Sequence, residues 1–317
     1  MNKTFKHLSP AQIIALGFAS VILIGSVLLM LPCSVQQGVH LDYIDALYTS
    51  TSAVCVTGLI AVDAGDTFTP IGNFFLGGLI QIGGLGVTAV GAGIILLMGK
   101  RVNLRSRNRV KEGMNLDSGR GIVQFVKSIF ITTVCFELAG AALSFLSFSR
   151  TRPLGDAICI SLFHAVAAFN NSGFDILGGG TNLIPYRDDL LLNLVTCGLI
   201  VFGGMGFLVI REIVSTKFRW KKFSMHTKVV LTMTAVLIVI GTLMLKATED
   251  ITWLAALFHS VSARTAGFST YPLGTWSNAG LLVLIVLMFI GASPGSTGGG
   301  IKTTTFFTLL QGIKSAA

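Results

Sequence analysis

The sequence predicts an all-α membrane protein assembled from repeated units of helix, re-entrant loop and helix, and three observations point there. Apolar residues fill 52% of the 317 positions and charged residues only 12%, far from the mixture of a soluble domain. Long apolar runs alternate with short ones of about a dozen residues, too short to cross a hydrocarbon layer roughly 30 Å thick. One such short run, with the small-residue turn that ends it, recurs three times, the mark of a repeated architectural unit.

The three copies are Ala46-Leu47-Tyr48-Thr49-Ser50-Thr51-Ser52-Ala53-Val54-Cys55-Val56-Thr57-Gly58-Leu59, Ser161-Leu162-Phe163-His164-Ala165-Val166-Ala167-Ala168-Phe169-Asn170-Asn171-Ser172-Gly173-Phe174 and Ala256-Leu257-Phe258-His259-Ser260-Val261-Ser262-Ala263-Arg264-Thr265-Ala266-Gly267-Phe268, the third one residue shorter. Each must dip into the membrane and return. The returning main chain is tolerated at that depth only where it lines water or is buried in protein. The turns Val56-Thr57-Gly58, Asn171-Ser172-Gly173 and Thr265-Ala266-Gly267 share a glycine, which permits positive φ and lets successive carbonyls aim at one axis. Rings of such carbonyls replace the water around a cation and favour potassium. The partially negative C-terminal ends of the short helices attract cations to the same place. With one glycine per turn, a short filter of loose selectivity is expected.

Taken in order, the first unit opens with Lys3 and Lys6, then Ser9-Pro10 as cap and first-turn proline of a helix running to about Leu31, retained as a span with its N-terminus inside. After the first pore loop come Asp63 and Asp66, and Pro70 opens a return helix interrupted by Gln81-Ile82-Gly83-Gly84-Leu85-Gly86. These glycines serve either close backbone packing or a hinge or pore-lining role. The stretch 100–120 is strongly basic and is read as cytoplasmic under the positive-inside bias. The second unit spans outward over 122–148, and Glu137 in its middle is a costly intramembrane carboxylate and so a candidate for a functional role as well as a structural one. Lying on an outer helix, Glu137 is expected to hydrogen-bond the pore-helix backbone. The return helix carries Phe202-Gly203-Gly204-Met205-Gly206, mirroring the first glycine cluster, and 217–222 is again basic. The units are expected at 1–120, 121–227 and 228–317.

The third unit breaks the pattern. Its return helix meets Gly291-Ala292-Ser293-Pro294-Gly295-Ser296-Thr297-Gly298-Gly299-Gly300-Ile301-Lys302-Thr303-Thr304-Thr305, and no continuous helix survives that many glycines and a proline. An irregular loop below the filter is a natural obstruction, so the stretch reads as a gate, to which Lys302 contributes positive charge. It also approximates a phosphate-binding GxxxxGK[ST] loop, but with Ile301 inserted before the lysine and an apolar helix in place of the preceding strand. Arg264, a fixed charge beside the third turn, would repel a cation and is expected to point behind the turn, to a carboxylate or carbonyls. His164 and His259 match Thr49 in the first repeat and read as packing residues, so no metal site is expected beyond the transported ion.

The net charge of +9 resides in connecting segments, which argues for cytoplasmic loops and against nucleic acid. Cys33, Cys55, Cys135, Cys159 and Cys197 show no CxxC spacing and are expected as small buried packing residues. No Ser-His-Asp, His-Glu-x-x-His or paired-Asp arrangement supports an enzyme. A secondary solute carrier with broken helices is the alternative within transport, disfavoured because carriers break helices in pairs.

At Thr51-Ser52-Ala53-Val54-Cys55-Val56-Thr57-Gly58-Leu59, Ala263-Arg264-Thr265-Ala266-Gly267-Phe268 and the stretch from Ser293 to Thr304, the chain resembles the Trk/Ktr/HKT superfamily of potassium transporters, and most of all KtrB-type membrane subunits. The resemblance implies potassium uptake across the plasma (inner) membrane, with Gly58, Gly173 and Gly267 as filter glycines and Gly291 to Lys302 as the gating loop. A glycine in the first filter goes with potassium preference, a serine with sodium. It further implies a homodimer on a cytosolic ring of nucleotide-binding subunits, no organic cofactor on this chain, and often sodium-dependent uptake, that is, symport. Members carry four units, of which three are present here. The expectation is therefore either a non-conducting truncated fragment or a ring completed by a further polypeptide.

Overall fold

The computed structural model describes residues 9–97 and 121–316. The basic stretch at 100–120 and the N-terminal Lys3 and Lys6 lie outside the described residues. The first unit comprises α1 (Pro10–Leu29), α2 (Tyr43–Val54), the single turn α3 (Ala64–Thr67), α4 (Pro70–Leu85) and α5 (Val87–Leu97). The second comprises α6 (Ile122–Phe148), α7 (Leu154–Phe169), α8 (Leu190–Met205) and α9 (Phe207–Ser215). The third comprises α10 (Met225–Thr248), α11 (Trp253–Thr265), α12 (Asn278–Phe289) and α13 (Thr303–Ala316).

The helices start where short polar side chains can satisfy first-turn amides. Ser9 and Gln12 form a reciprocal capping box ahead of Pro10. Thr69, Asp189, Thr252 and Ser277 each accept a hydrogen bond from a first-turn amide of α4, α8, α11 and α12. α1, α6 and α10 are each long and apolar enough to cross a membrane, and α8 with α9 passes the same test as a pair bent by 98°.

In each unit the long outward helix packs on its own short pore helix: α1 on α2, α6 on α7 and α10 on α11. The Ser50 hydroxyl of α2 donates to the Ile22 carbonyl of α1 at 2.8 Å, and the Ser260 hydroxyl of α11 donates to the Ile238 carbonyl of α10 at 2.9 Å. The same pin thus recurs in the first and third units. Phe148, Phe169, Phe174, Phe258 and Phe268 are fully buried around the pore helices. Ile24, Phe74 and Phe289 stand outward, each more than half exposed, as suits a surface solvated by lipid. The cysteines depart from expectation: Cys197 is buried, but Cys33, Cys55, Cys135 and Cys159 are exposed. In a bilayer the outside is apolar too, so an apolar sequence context does not imply the interior.

Both readings of the glycine clusters apply, at different residues. A Cβ on Gly83 would overlap the carbonyl of Val54, the last residue of α2, and one on Gly203 would overlap the carbonyl of Phe169, the last residue of α7. Gly86 (φ 83) and Gly206 (φ 92) instead break the return helices into α4 and α5, and α8 and α9. In the third unit α12 ends at Phe289, and 290–302 is irregular as expected.

Two of these contacts give a direct test. Gly83→Ala and Gly203→Ala should each destabilise the detergent-solubilised protein by about 1–3 kcal/mol through overpacking, read as a lowered unfolding midpoint. Gly78→Ala, on the same helix as Gly83 with nothing within 4 Å of its Cβ, should leave the midpoint in place.

Candidate functional site

The three turns end their pore helices in similar ways. The Thr57 amide reaches back to the Ser52 carbonyl at 2.9 Å, Ser172 to Ala167 at 2.9 Å, and Gly267 to Ser262 at 3.0 Å. Val56 (φ 53) and Asn171 (φ 60) take left-handed conformations before their glycines, whereas the shorter third turn passes through Ala266 at φ -98. The glycines then agree closely, at φ 74, 73 and 85 for Gly58, Gly173 and Gly267. A Cβ on Gly58 would overlap the Ser172 carbonyl, and one on Gly173 the Ala266 carbonyl. The first turn therefore lies on the second and the second on the third. Beside Gly267 no described residue lies within 4 Å of the corresponding position.

Beneath them runs the loop at 290–302. It is held to itself by Gly291 N–H to the Ile301 carbonyl (3.0 Å), Ala292 N–H to the Gly299 carbonyl (2.9 Å) and the Lys302 ammonium to the Gly298 carbonyl (2.8 Å). Lys302 thus turns its charge onto the loop's own main chain. The loop is also docked on the second unit, at the break in the return helix. That break frees carbonyls at the end of α8 and an amide at the start of α9, which have no intrahelical partner. Ser293 N–H donates to the Gly204 carbonyl at 2.9 Å, Thr297 N–H to the Gly203 carbonyl at 3.2 Å, and Phe207 N–H to the Gly295 carbonyl at 3.0 Å. A glycine-rich loop and a broken helix complete one another's hydrogen bonding.

Glu137 does not meet the pore-helix backbone as expected. It accepts at 3.2 Å from the side-chain amide of Asn170, the residue capping α7, which also donates to Gln81 Oε1 at 2.8 Å and to the Val166 carbonyl at 2.9 Å. Helical amides are spent within the helix, so the cap side chain is what remains to offer. Arg264 also departs from expectation: it is only 6% exposed, yet its Nε and Nη1 find no hydrogen-bond partner among the described residues. The Ser262 carbonyl at this helix end is already shared by the Ala266 and Gly267 amides. His164 and His259 pair with the hydroxyls of Thr196 (2.8 Å) and Thr270 (3.3 Å) and pack edge-on against Phe148 and Trp276.

Above the turns, Asp63 and Asp66 accept from the Gly180 and Gly179 amides at 2.6 and 2.8 Å, lacing the exit of the first loop to that of the second. Asp175 stands beside them, held by the Leu177 amide and the Asn182 side chain. Burial raises its carboxyl above the usual carboxylate range, and the charges of Asp63 and Asp66 add to that, against the lowering by its two donors. Three carboxylates therefore cluster where the exits of the first and second loops meet. Sequence reasoning missed Asn170 and the side-chain role of Asn171. The one available signal was a pair of adjacent amides, Asn170-Asn171, at the end of one otherwise apolar pore helix.

The comparisons with known proteins agree with this architecture. The family described as TrkH, cation transport protein, matches residues 3–254 and 225–317. The Ktr system potassium uptake protein B of Bacillus subtilis is 38% identical over 96% of this chain and 70% of its own length. The potassium/sodium uptake protein NtpJ of Enterococcus hirae is 37% identical over 96% of this chain and 69% of its own. A crystal structure of the potassium transporter TrkH from Vibrio parahaemolyticus aligns with a TM-score of 0.73 at 20% identity, covering 100% of this chain. This chain spans 64% of that structure's length and about 70% of the Bacillus relative's. With the family matched along almost its whole length and relatives above a third identical, the chain belongs to the TrkH family of cation transport proteins, multi-pass membrane transporters rather than enzymes.

Proposed function

We propose that this chain is the ion-translocating subunit of a potassium uptake system in the plasma membrane. Potassium passes the carbonyls of Val56, Thr57, Gly58, Asn171, Ser172, Gly173, Thr265, Ala266 and Gly267, and the loop from Gly291 to Lys302 gates the path below them. The observation that carries this reading is the contact of the three glycine turns, all at nearly the same positive φ, the first lying on the second and the second on the third. Short helices ending at those turns direct partial negative charge to the same spot, and the acidic mouth of Asp63, Asp66 and Asp175 favours cations at the entrance. The names of the Bacillus and Enterococcus relatives support potassium as the cargo, and the second supports sodium as a further ion. Units bounded near 120 and 227, a homodimer, a cytosolic nucleotide-binding partner ring, sodium coupling and a cytoplasmic N-terminus belong to the same proposal. Expression of the full chain with its partner in cells lacking potassium uptake tests it: growth at low potassium is the expected result, and no potassium accumulation by membrane-inserted protein would overturn it.

Two further outcomes follow from the geometry. Gly58→Ser adds a Cβ against the Ser172 carbonyl at a backbone of φ 74, so it should displace a coordinating oxygen. The ratio of potassium to sodium uptake should fall roughly tenfold, equivalent to about 1.4 kcal/mol, and an unchanged ratio would count against the filter. Deleting Ser296 to Gly299 removes Thr297 and its ties to the second unit, so it should raise rubidium flux several-fold and lessen dependence on the partner. A well-inserted deletion variant with reduced flux would identify the loop as scaffold.

A further inference from the structure

The geometry points to Asn171 as a positioning residue that couples the gate loop to the selectivity filter through its side chain. The inference rests on the proposed filter and gate, and adds a link between them. The Asn171 side chain is fully buried at the centre of a directional chain of hydrogen bonds. Thr265 Oγ1, in the third turn, donates to Asn171 Oδ1 at 2.6 Å. Asn171 Nδ2 donates to Thr297 Oγ1, in the gate loop, at 2.9 Å. Thr297 Oγ1 in turn donates to the Phe169 carbonyl at 2.9 Å. Each hydroxyl proton has its acceptor, so the chain runs one way, and loss of a hydroxyl leaves a buried group unpaired.

Residues 171, 265 and 297 are far apart in sequence and belong to the second filter turn, the third filter turn and the gate. The packing agrees with the bonding: a Cβ on Gly298 would meet Ala292 and, at 3.0 Å, Thr265, so the tip of the loop touches the third turn as well. Asn171 also holds a left-handed backbone (φ 60) one residue before the Ser172 carbonyl, a conformation asparagine tolerates through local hydrogen bonding. Val56 occupies that conformation in the first turn (φ 53) and has no polar side chain to make such a link. The coupling is therefore built into one side of the pathway. When the loop leaves its dock, Asn171 loses Thr297, and the side-chain amide to which Thr265 ties the third turn is left anchored only by its bond to the Phe169 carbonyl, which loosens the second and third turns relative to one another. Ion discrimination then depends on the position of the gate.

A double-mutant cycle on Thr265 and Thr297 tests this without altering Asn171 itself. In cells lacking potassium uptake, Thr297→Val, which removes the hydroxyl and keeps the shape, should lower the ratio of potassium to sodium uptake by about threefold or more, the lower range of coupling between contacting residues. Thr297→Ser, which keeps the hydroxyl, should preserve the ratio. The double variant Thr265→Val/Thr297→Val should be no worse than the more affected single variant. If the valine variant does not reach the membrane, Thr297→Ala removes the same hydroxyl and carries the same expectation. A Thr297→Val or Thr297→Ala variant that changes flux with an unaltered ratio, or a cycle whose effects add, would overturn the coupling while leaving the potassium uptake reading intact. Failure of the unmodified chain to take up potassium would instead strike the reading on which the coupling rests.

Discussion

A main chain that leaves the helix inside a membrane has no water to fall back on, and nearly every distinctive feature of this molecule follows from that constraint. Three short helices end at turns that survive because the turns lie against one another and against glycine. Gly83 and Gly203 allow the ends of α2 and α7 to sit directly on the return helices, with the Val54 and Phe169 carbonyls where a side chain would otherwise be. The proposed filter is the set of turn carbonyls that this packing leaves beside Gly58, Gly173 and Gly267. The same economy governs the loop at 290–302, whose amides and carbonyls are matched to those released where the second return helix breaks at Gly206.

This matching explains why the units diverge after starting from one pattern. The first and second return helices both break at a glycine with positive φ, at Gly86 and Gly206. Only in the second does the freed backbone receive the loop at 290–302 of the third. In the proposed reading, gating is a contact between two units: a loop that swings away must leave three backbone groups of the second unit to find new partners. That cost favours the docked loop.

Much of this was legible in the sequence because it is local. The recurrence of the pore-loop pattern, the capping of α1 by Ser9 and Pro10, the glycine pairs and the impossibility of a helix through Gly291 to Gly300 all leave marks within a few residues of where they act. The partners of buried polar groups were not legible. Asn171 reaches Thr297 across more than a hundred residues, and no periodicity records such a contact. Glu137 looked like a partner for backbone because the cap side chain of Asn170 is invisible as such in a string of residues. Four of the cysteines were misjudged: Cys135 and Cys159 lie on helices whose apolar sequence did not imply burial, and Cys33 and Cys55 lie in turns.

The account stands on one claim, that a dehydrated monovalent cation rests among the carbonyls of the three turns. Thallium bound to the intact protein and located by its anomalous scattering tests that claim without relying on transport. The account predicts a peak within coordinating distance of the main-chain oxygens around Gly58, Gly173 and Gly267. Thallium bound elsewhere, for example at Glu137 or among Asp63, Asp66 and Asp175, with none between the turns, would contradict it.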